Sequence, residues 1–425
     1  GKISDKLCYL IDVFPTVCDM VGADIPSSVD GVSLVPAIKE DKPVRDYLYY
    51  SYMDNQRAVS DGEWKLCEYN VKGVRTTQLF DLKNDPWEMT NLAGEKKYGK
   101  IISPMGCRAF LSPWYEQGGM HPAFDGDEPV FVGRFNIGVV SLHLPMILAK
   151  ARKESRDFYE VLDYYLELIR RLHIRTYAYL GEMRASTNPL AYCEGGFYGG
   201  HLKLTDKIKP VLKTATASFG ITALNELQML YNGKSLVEDG AFALEVMEHI
   251  NKRVDEFKEE DGNLYAIYGT PAENLCGLQI RQFREQYGII EGVSDRPYVS
   301  NSFHCHVSED ITPIQKQDLE NRFWNLSNGG KIQYVKYPIG YNTLAIKSLI
   351  RRAMDMGFYE GVNLSLSYCD DCGHEELQMD VCPKCGSKNL TKIDRMNGYL
   401  SYSRVKGDTR LNDAKMAEIA ERRSM

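Results

Sequence analysis

Apolar and polar positions divide the chain into four textures. Over residues 1–102 apolar runs are short and turn residues frequent; Tyr47–Tyr52 and Gln78–Leu82 read as strands. Asp85-Pro86 starts a turn, so its surroundings read as strand, turn and short helix. From Ser103 to about Gly361, strand-like runs alternate with helical periods, as an α/β architecture requires. Within it Phe135–Leu144 (FNIGVVSLHL) reads as a buried strand. Glu154–Leu180 has the apolar period of a long amphipathic helix, and Ala241–Phe257 of a second. Asn363–Leu390 is a cysteine-rich insert. Thr391–Met425 reads as a glycine-bearing loop and a terminal helix, with Asn412 or Asp413 as N-cap and Arg422 and Arg423 in the last turn. No internal repeat or low-complexity tract interrupts the pattern.

Composition narrows the picture. A chain of 425 residues has room for two to four domains at roughly 100–200 residues each. The net charge of -7 argues against a general nucleic-acid binder. No window approaches ~20 uninterrupted apolar residues, so no membrane helix is expected. The most apolar stretch, Phe135–Ala149, is short and contains His143. Gly1 opens the sequence without a basic and then apolar leader, so no signal peptide is expected, and the natural N-terminus is expected to lie upstream. Eleven cysteines in a chain this long do not make a disulfide scaffold. Four of them come as two close pairs, which points to a metal and a reducing compartment.

These four are Cys369, Cys372, Cys382 and Cys385, in SYCDDCGHEELQMDVCPKCG. Two residues between cysteines let both thiolates of a knuckle face one ion, and Gly373 and Gly386 let backbone N–H groups turn toward the sulfurs. Four thiolates fill a tetrahedral Zn²⁺ shell, so the site is closed and structural. A redox dithiol pair is the competing reading, and His374 is a bystander. The acidic neighbours Asp370, Asp371, Glu375, Glu376 and Asp380 disfavour a nucleic-acid ribbon.

Thirteen residues beyond Cys385 stands Gly398, in DRMNGYLSYSR. Alone it reads as an Asn-Gly turn. Far upstream, SPMGCRAF places Cys107 between Gly106 and Arg108. It is either an exposed loop-tip thiol perturbed by the cation or a small core residue.

Together, the PMGCR loop, the paired CxxC site and the near-terminal Gly-Tyr resemble the ordered signature of anaerobic (class III) ribonucleoside-triphosphate reductases. GRFNIGVVSLHLP (133–145), TPAENL (270–275), NSFHCHV (301–307), GGKIQYVKYP (329–338) and DTRLNDAKMAEIAERR (408–423) are similar to family segments. The resemblance covers residues 103–425 and implies the C-terminal part of a ten-stranded glycyl-radical α/β barrel. Other glycyl-radical enzymes are near neighbours that lack the four-cysteine site.

The resemblance also implies roles. Cys107 is the thiyl radical that takes the ribose C3′ hydrogen, and Gly398 stores the radical between turnovers. A separate radical-SAM Fe–S activase installs it. Zinc locks the segment that carries Gly398. Met105, two residues before Cys107, goes with formate as electron donor. The substrate is a ribonucleoside triphosphate, the intact family is homodimeric, and the setting is the cytoplasm of an anaerobic or facultatively anaerobic prokaryote. Asn136 either lines the same cavity or is a strand-end amide. Thr270 opens Thr-Pro-Ala, whose N–H groups either hold substrate phosphates or merely start a helix. Glu273 is either an active-site group or a first-turn carboxylate.

Upstream, IDVFPTVCDMVGADIP, DGVSLVPAI and LFDLKNDPWEMTNLA resemble, in that order, the C-terminal region of sulfatases over about residues 1–100. The Cys/Ser-x-Pro-x-Arg nucleophile is absent. Asp12 and Asp85 are turn or cap residues rather than ligands, and no sulfatase activity is expected. A sulfatase-derived fragment nevertheless remains the alternative to a reductase.

The expected architecture is therefore an α+β sulfatase-like segment (1–102), the second half of a reductase α/β barrel (103–362), a four-cysteine zinc ribbon (363–392), and a glycyl-radical loop with a terminal helix (393–425). The reductase family's regulatory and first half-barrel regions are not represented, and no linker separates the two resemblances. The reading is of an incomplete or chimeric copy that does not turn over nucleotides alone.

Overall fold

The computed structural model describes residues 4–53, 55–71, 74–93, 108–336, 342–363, 366–377, 379–395, 400–402 and 412–424. The chain forms two compact units, Gly1–Ile102 and Ser103–Met425.

The first unit contains α1 (Val13–Val21), α2 (Val35–Glu40) and an antiparallel meander of β1 (Leu48–Tyr52), β2 (Gln56–Ser60), β3 (Trp64–Val71) and β4 (Val74–Asp81). Asp12 is fully buried and organises its entry. Its carboxylate accepts from Tyr9 N at 2.7 Å and Val32 N at 2.9 Å and pairs with Arg45. Burial works to raise its pKa, but Arg45 and these N–H donors hold it at about 2. Asp85 accepts from Thr90 N at 2.7 Å in a turn. Both carboxylates are thus engaged structurally. The short helix expected after Asp85-Pro86 does not form; turns follow β4, and Glu88 adopts φ 56°.

The second unit is α/β. In order it contains β5 (Asn136–His143), α3 (Leu144–Glu154), α4 (Phe158–Gly181), α5 (Pro189–Tyr192), α6 (Lys209–Leu212), β6 (Thr216–Thr222), α7 (Leu224–Asn232), α8 (Ala241–Asp261), β7 (Leu264–Gly269) and α9 (Leu275–Tyr287). It continues with α10 (Pro313–Trp324), β8 (Gln333–Lys336), α11 (Thr343–Asp355), β9 (Glu360–Asn363), β10 (Leu366–Cys369), β11 (Glu375–Leu377), β12 (Leu390–Arg395), β13 (Leu400–Tyr402) and α12 (Asp413–Glu421).

Strands β5, β6 and β7 form a parallel sheet in that order. Every residue of β6 and β7 is buried, as in a parallel sheet covered on both faces, although only β7 is an apolar run and β6 alternates. Alternation divides β6 in two. Ala217, Phe219 and Ile221 join the hydrophobic core under α4 and α8, whose buried residues recur at helical spacing. Thr216, Ser218, Gly220 and Thr222 line the other, polar face. Beyond β7 the segment at Gly329 and Gly330 continues the pairing, with Gly269 N to Gly330 O at 2.7 Å and Gly329 N to Ile267 O at 2.6 Å.

Several sequence expectations change. β5 is not a buried strand: among the described residues it pairs only with β6, and Val139 is 37% exposed. The long helix does not start at Glu154. Helix α3 ends there, Ser155 turns at φ 51°, and Asp157 caps α4 by accepting from Glu160 N at 3.0 Å. Pro145 sits in the first turn of α3, where its missing N–H costs nothing. Asn412 is the N-cap of α12. Arg422 is the C-cap, with extended backbone, and its guanidinium folds back on buried Glu418 at 3.1 Å.

Candidate functional site

The four cysteines belong to a small antiparallel sheet, ordered β11-β10-β12-β13. β10 delivers Cys369 at its end. After each CxxC pair a glycine enters the left-handed region, Gly373 at φ 73° and Gly386 at φ 74°. Their N–H groups do not reach sulfur: they close the knuckles on Cys369 O and Cys382 O, both at 2.8 Å. The following residues do so instead, with His374 N–H bonding Cys372 and Ser387 N–H bonding Cys385.

All four Sγ atoms lie within 4.8 Å of one another, with Cys369–Cys385 and Cys372–Cys382 both at 3.5 Å. A tetrahedron with Zn–S of about 2.3 Å has edges of about 3.8 Å, so the cluster has the size of a Zn²⁺ shell. His374 turns away to Glu376, at 3.3 Å. Zinc held here supplies cross-linking, because four thiolates leave no open coordination position.

The expected ribbon boundary at 392 would cut β12, which runs to Arg395 and pairs with β13 through Arg395–Leu400. The ribbon sheet therefore continues to Tyr402. Gly398 belongs to the connection between these strands, residues 396–399, and lies outside the described residues, as do Met105 and Cys107.

The segment that follows position 107 is well defined. Arg108 is fully buried. Its guanidinium donates to Gly269 O and to the Tyr334 hydroxyl, each at 2.9 Å. Phe110 N donates to Gly329 O at 2.9 Å, and Ser112 reaches Thr216 Oγ1 at 3.2 Å and Tyr265 O at 2.9 Å. Arg134, also buried, donates to Ser112 O, Thr214 O and Val130 O. Residues 108–112 thus pair antiparallel with residues 329–331, reach β7 through the Arg108 and Ser112 side chains at Gly269 and Tyr265, and are clamped by two arginines.

Asn136 uses both ends of its amide, Nδ2 to Ser218 Oγ at 2.6 Å and Oδ1 from Gly138 N at 2.8 Å, which braces the irregular start of β5. Thr270 Oγ1 meets Ser141 Oγ at 2.7 Å across Gly220, where a Cβ would lie 2.3 Å from the serine oxygen. Thr270 N donates to Ile221 O and Glu273 N to Pro271 O. Glu273 is half-buried in the turn before α9. Asn136 and Thr270 therefore share the polar face of the sheet.

Sequence reasoning missed a buried charged cluster beside this segment. Glu320, on α10, pairs with Lys316 and accepts from His304 Nδ1 at 2.9 Å, all three at most 1% exposed. Burial lowers the His304 pKa to about 4 despite Glu320. Burial works to raise that of Glu320, but Lys316 and His304 hold it at about 2. The available signal was His-Cys-His within NSFHCHV.

Comparison with known proteins matches two families along the chain. Residues 61–424 match the family model described as anaerobic ribonucleoside-triphosphate reductase. Residues 1–109 match one described as N-sulphoglucosamine sulphohydrolase, C-terminal. The two ranges overlap across β3 and β4, which belong to one unbroken sheet with β1 and β2. The chain is 33% identical over 320 residues to the anaerobic ribonucleoside-triphosphate reductase of Haemophilus influenzae, covering 72% of this chain and 44% of that protein. It is 31% identical over 336 residues to that of enterobacteria phage T4, covering 76% and 52%. A solved anaerobic ribonucleotide reductase superposes with a TM-score of 0.55 at 18% identity, over 68% of this chain and 45% of that one, which shows a shared fold. The sulfatase-like part is 32% identical over 102 residues to a Δ4,5-hexuronate-2-O-sulfatase of Bacteroides thetaiotaomicron, 22% of this chain and 21% of that protein. The chain spans about half the length or less of the reductases it matches. No helix among the described residues is long and apolar enough to cross a membrane. By the match over residues 61–424, the chain belongs to the anaerobic ribonucleoside-triphosphate reductase family.

Proposed function

We propose that the second unit is the radical-storing part of a reductase that converts ribonucleoside triphosphates to deoxyribonucleoside triphosphates. Gly398 is the radical store and Cys107 the thiyl that attacks C3′ of the ribose. Formate is the electron donor, consistent with Met105. A separate radical-SAM activase is the partner that installs the radical, and the intact enzyme is a homodimer. The observation that carries the reading is the reductase match over residues 61–424, which takes in PMGCR, the four cysteines and the Gly-Tyr pair in family order.

The chemistry suits these residue types. A glycine Cα radical is stabilised between an amide nitrogen and a carbonyl, with no side chain to twist it from planarity. A thiol S–H bond is close in strength to a ribose C–H bond. Clamping by Arg108 and Arg134 supports a rigid approach for the loop, since misplacement of about 1 Å costs orders of magnitude in rate. Zinc holds the ribbon whose β12–β13 connection includes Gly398, and Cys369, Cys372, Cys382 and Cys385 are its ligands.

The test is electron paramagnetic resonance after anaerobic treatment with activase and S-adenosylmethionine. A glycyl doublet is expected from the full chain and none from Gly398→Ala; absence of the doublet from the unaltered chain refutes the assignment. These 425 residues alone are expected not to turn over nucleotides, since the 320 residues that match cover 44% of the Haemophilus relative. Deoxynucleotide formation by the purified chain with activase and formate would overturn that part.

A further inference from the structure

Arg108 is a buried cation without a counter-ion among the described residues. It is 0% exposed, and no carboxylate among the described residues pairs with it. Its two acceptors, a carbonyl and a phenol, are neutral, the Tyr334 ring centroid lies 5.1 Å from the guanidinium carbon, and Nε–H has no partner among the described residues. A guanidinium carries five N–H donors, so most of its capacity is unspent. Arg134, also buried, donates from all three of its nitrogens to carbonyls. Burying a charge without compensation is costly, so Arg108 calls for an anion.

Two further orphan groups border the same residues. Ser302 Oγ is buried without a hydrogen-bond partner among the described residues, and a Cβ built on Gly269 would fall 2.1 Å from it. Gly269 is also the residue whose carbonyl receives Arg108. Ser302 holds φ 54°, a conformation a serine rarely adopts. His304 Nε2 is buried and unpartnered in the same sense. The His304 ring packs 5.4 Å from the ring of Tyr334, the other acceptor of Arg108. With Glu320 receiving Nδ1–H, the neutral imidazole leaves Nε2 as an acceptor.

We propose that Arg108, Ser302 and His304 form a binding site for a small monocarboxylate, with formate as the ligand that fits. Donors from Arg108 and Ser302 take the two oxygens. The lone pair of His304 Nε2 repels a third anionic oxygen and faces the C–H edge. Inorganic phosphate satisfies Arg108 but brings an extra anionic oxygen toward His304. The proposal rests on the reading of formate as electron donor and adds the place where it is held, next to position 107.

The experiment is a titration of ¹³C-labelled formate into the full, unactivated chain under anoxia, followed by carbon line broadening. Saturable binding is expected. Arg108→Gln is expected to weaken it about 10- to 100-fold, and Ser302→Ala about 3- to 10-fold, from one charged and one neutral hydrogen bond. Should Arg108→Gln lose the circular-dichroism spectrum of the parent, Ser302→Ala decides. No saturable binding, unchanged affinity in the folded variants, or displacement of formate by an equal concentration of inorganic phosphate would each overturn the proposal. Formate binding is read without a radical, so it and the glycyl assignment fail independently.

Discussion

The ribbon and the β5–β7 sheet are stretches of one compact unit, yet their strands are closed by different forces. In the ribbon, four strands of three to six residues leave Tyr368, Leu377 and Val381 38–45% exposed. Among its described side chains, those it buries are Cys369, Cys382, Met379 and a few polar groups. So little apolar area cannot offset the entropy of ordering the segment, and below about 40 residues a metal is the usual remedy. In the sheet, β6 and β7 lie under a continuous aliphatic and aromatic core. Each fully buried large side chain there contributes roughly 1.5–3 kcal/mol. Equivalent backbone ladders therefore depend on an ion in one place and on area in the other.

The sharpest way to break this comparison is to remove the ion. Chelation, or Cys382→Ser, forfeits an apparent binding free energy of about 10–16 kcal/mol. The expected outcome is loss of amide protection over residues 366–395 while β6 and β7 stay protected. Protection that persists in the ribbon after metal analysis shows it empty would mean that area holds it after all. The converse test is Phe219→Ala, in a fully buried side chain packed on His173, Phe257 and Tyr265. It should cost about 3–5 kcal/mol in urea melts and leave zinc content unchanged.

Charge in the sheet's periphery comes next. Glu320→Gln strands Lys316 in the interior and should cost about 3 kcal/mol, whereas Lys316→Met with Glu320→Leu should recover most of it. Acid should act through the same cluster. His304 has a folded pKa of about 4, below its ordinary 6.5, so the unfolded chain binds more protons and stability falls as pH drops from 6.5 to 4. Glu320, held at about 2, extends the loss from pH 4.5 downward. His304→Gln should flatten the upper part of that decline in pH-dependent melts. The smallest effect is expected at the terminal helix, where Asn412→Ala removes the cap on Lys415 N and should cost about 1 kcal/mol.

Local signals in the sequence located the elements best where one residue decides. Asn412 as cap and the Cys-x-x-Cys knuckles with their glycines were visible because their geometry is set within a few residues. The helix break at Ser155 was not, since the apolar period runs on through it and only Asp157 marks the new start. The exposure of β5 was hidden because an edge strand of a parallel sheet can carry the same Val-rich run as a central one; partners, not composition, decide burial. Arg108 was noticed as a cation beside a cysteine, but its burial depends on Gly269 and Tyr334, which lie 161 and 226 residues away in sequence. His304, Glu320 and Lys316 were missed for the same reason: a buried ion cluster has no periodic signature.

The side of β5 that pairs with no described strand has a practical consequence for anyone handling the protein. Beside it lies a shallow cavity of about 240 Å³ lined by Val140, Leu142, Tyr165, Leu168, Ile169 and Leu172. A strand that pairs on one side only among the described residues, beside a largely apolar trough, can template the addition of further strands. Concentrated stocks should therefore cloud reversibly at first and then gel. A lysine in place of Val139, on the strand itself, should extend shelf life without touching the core.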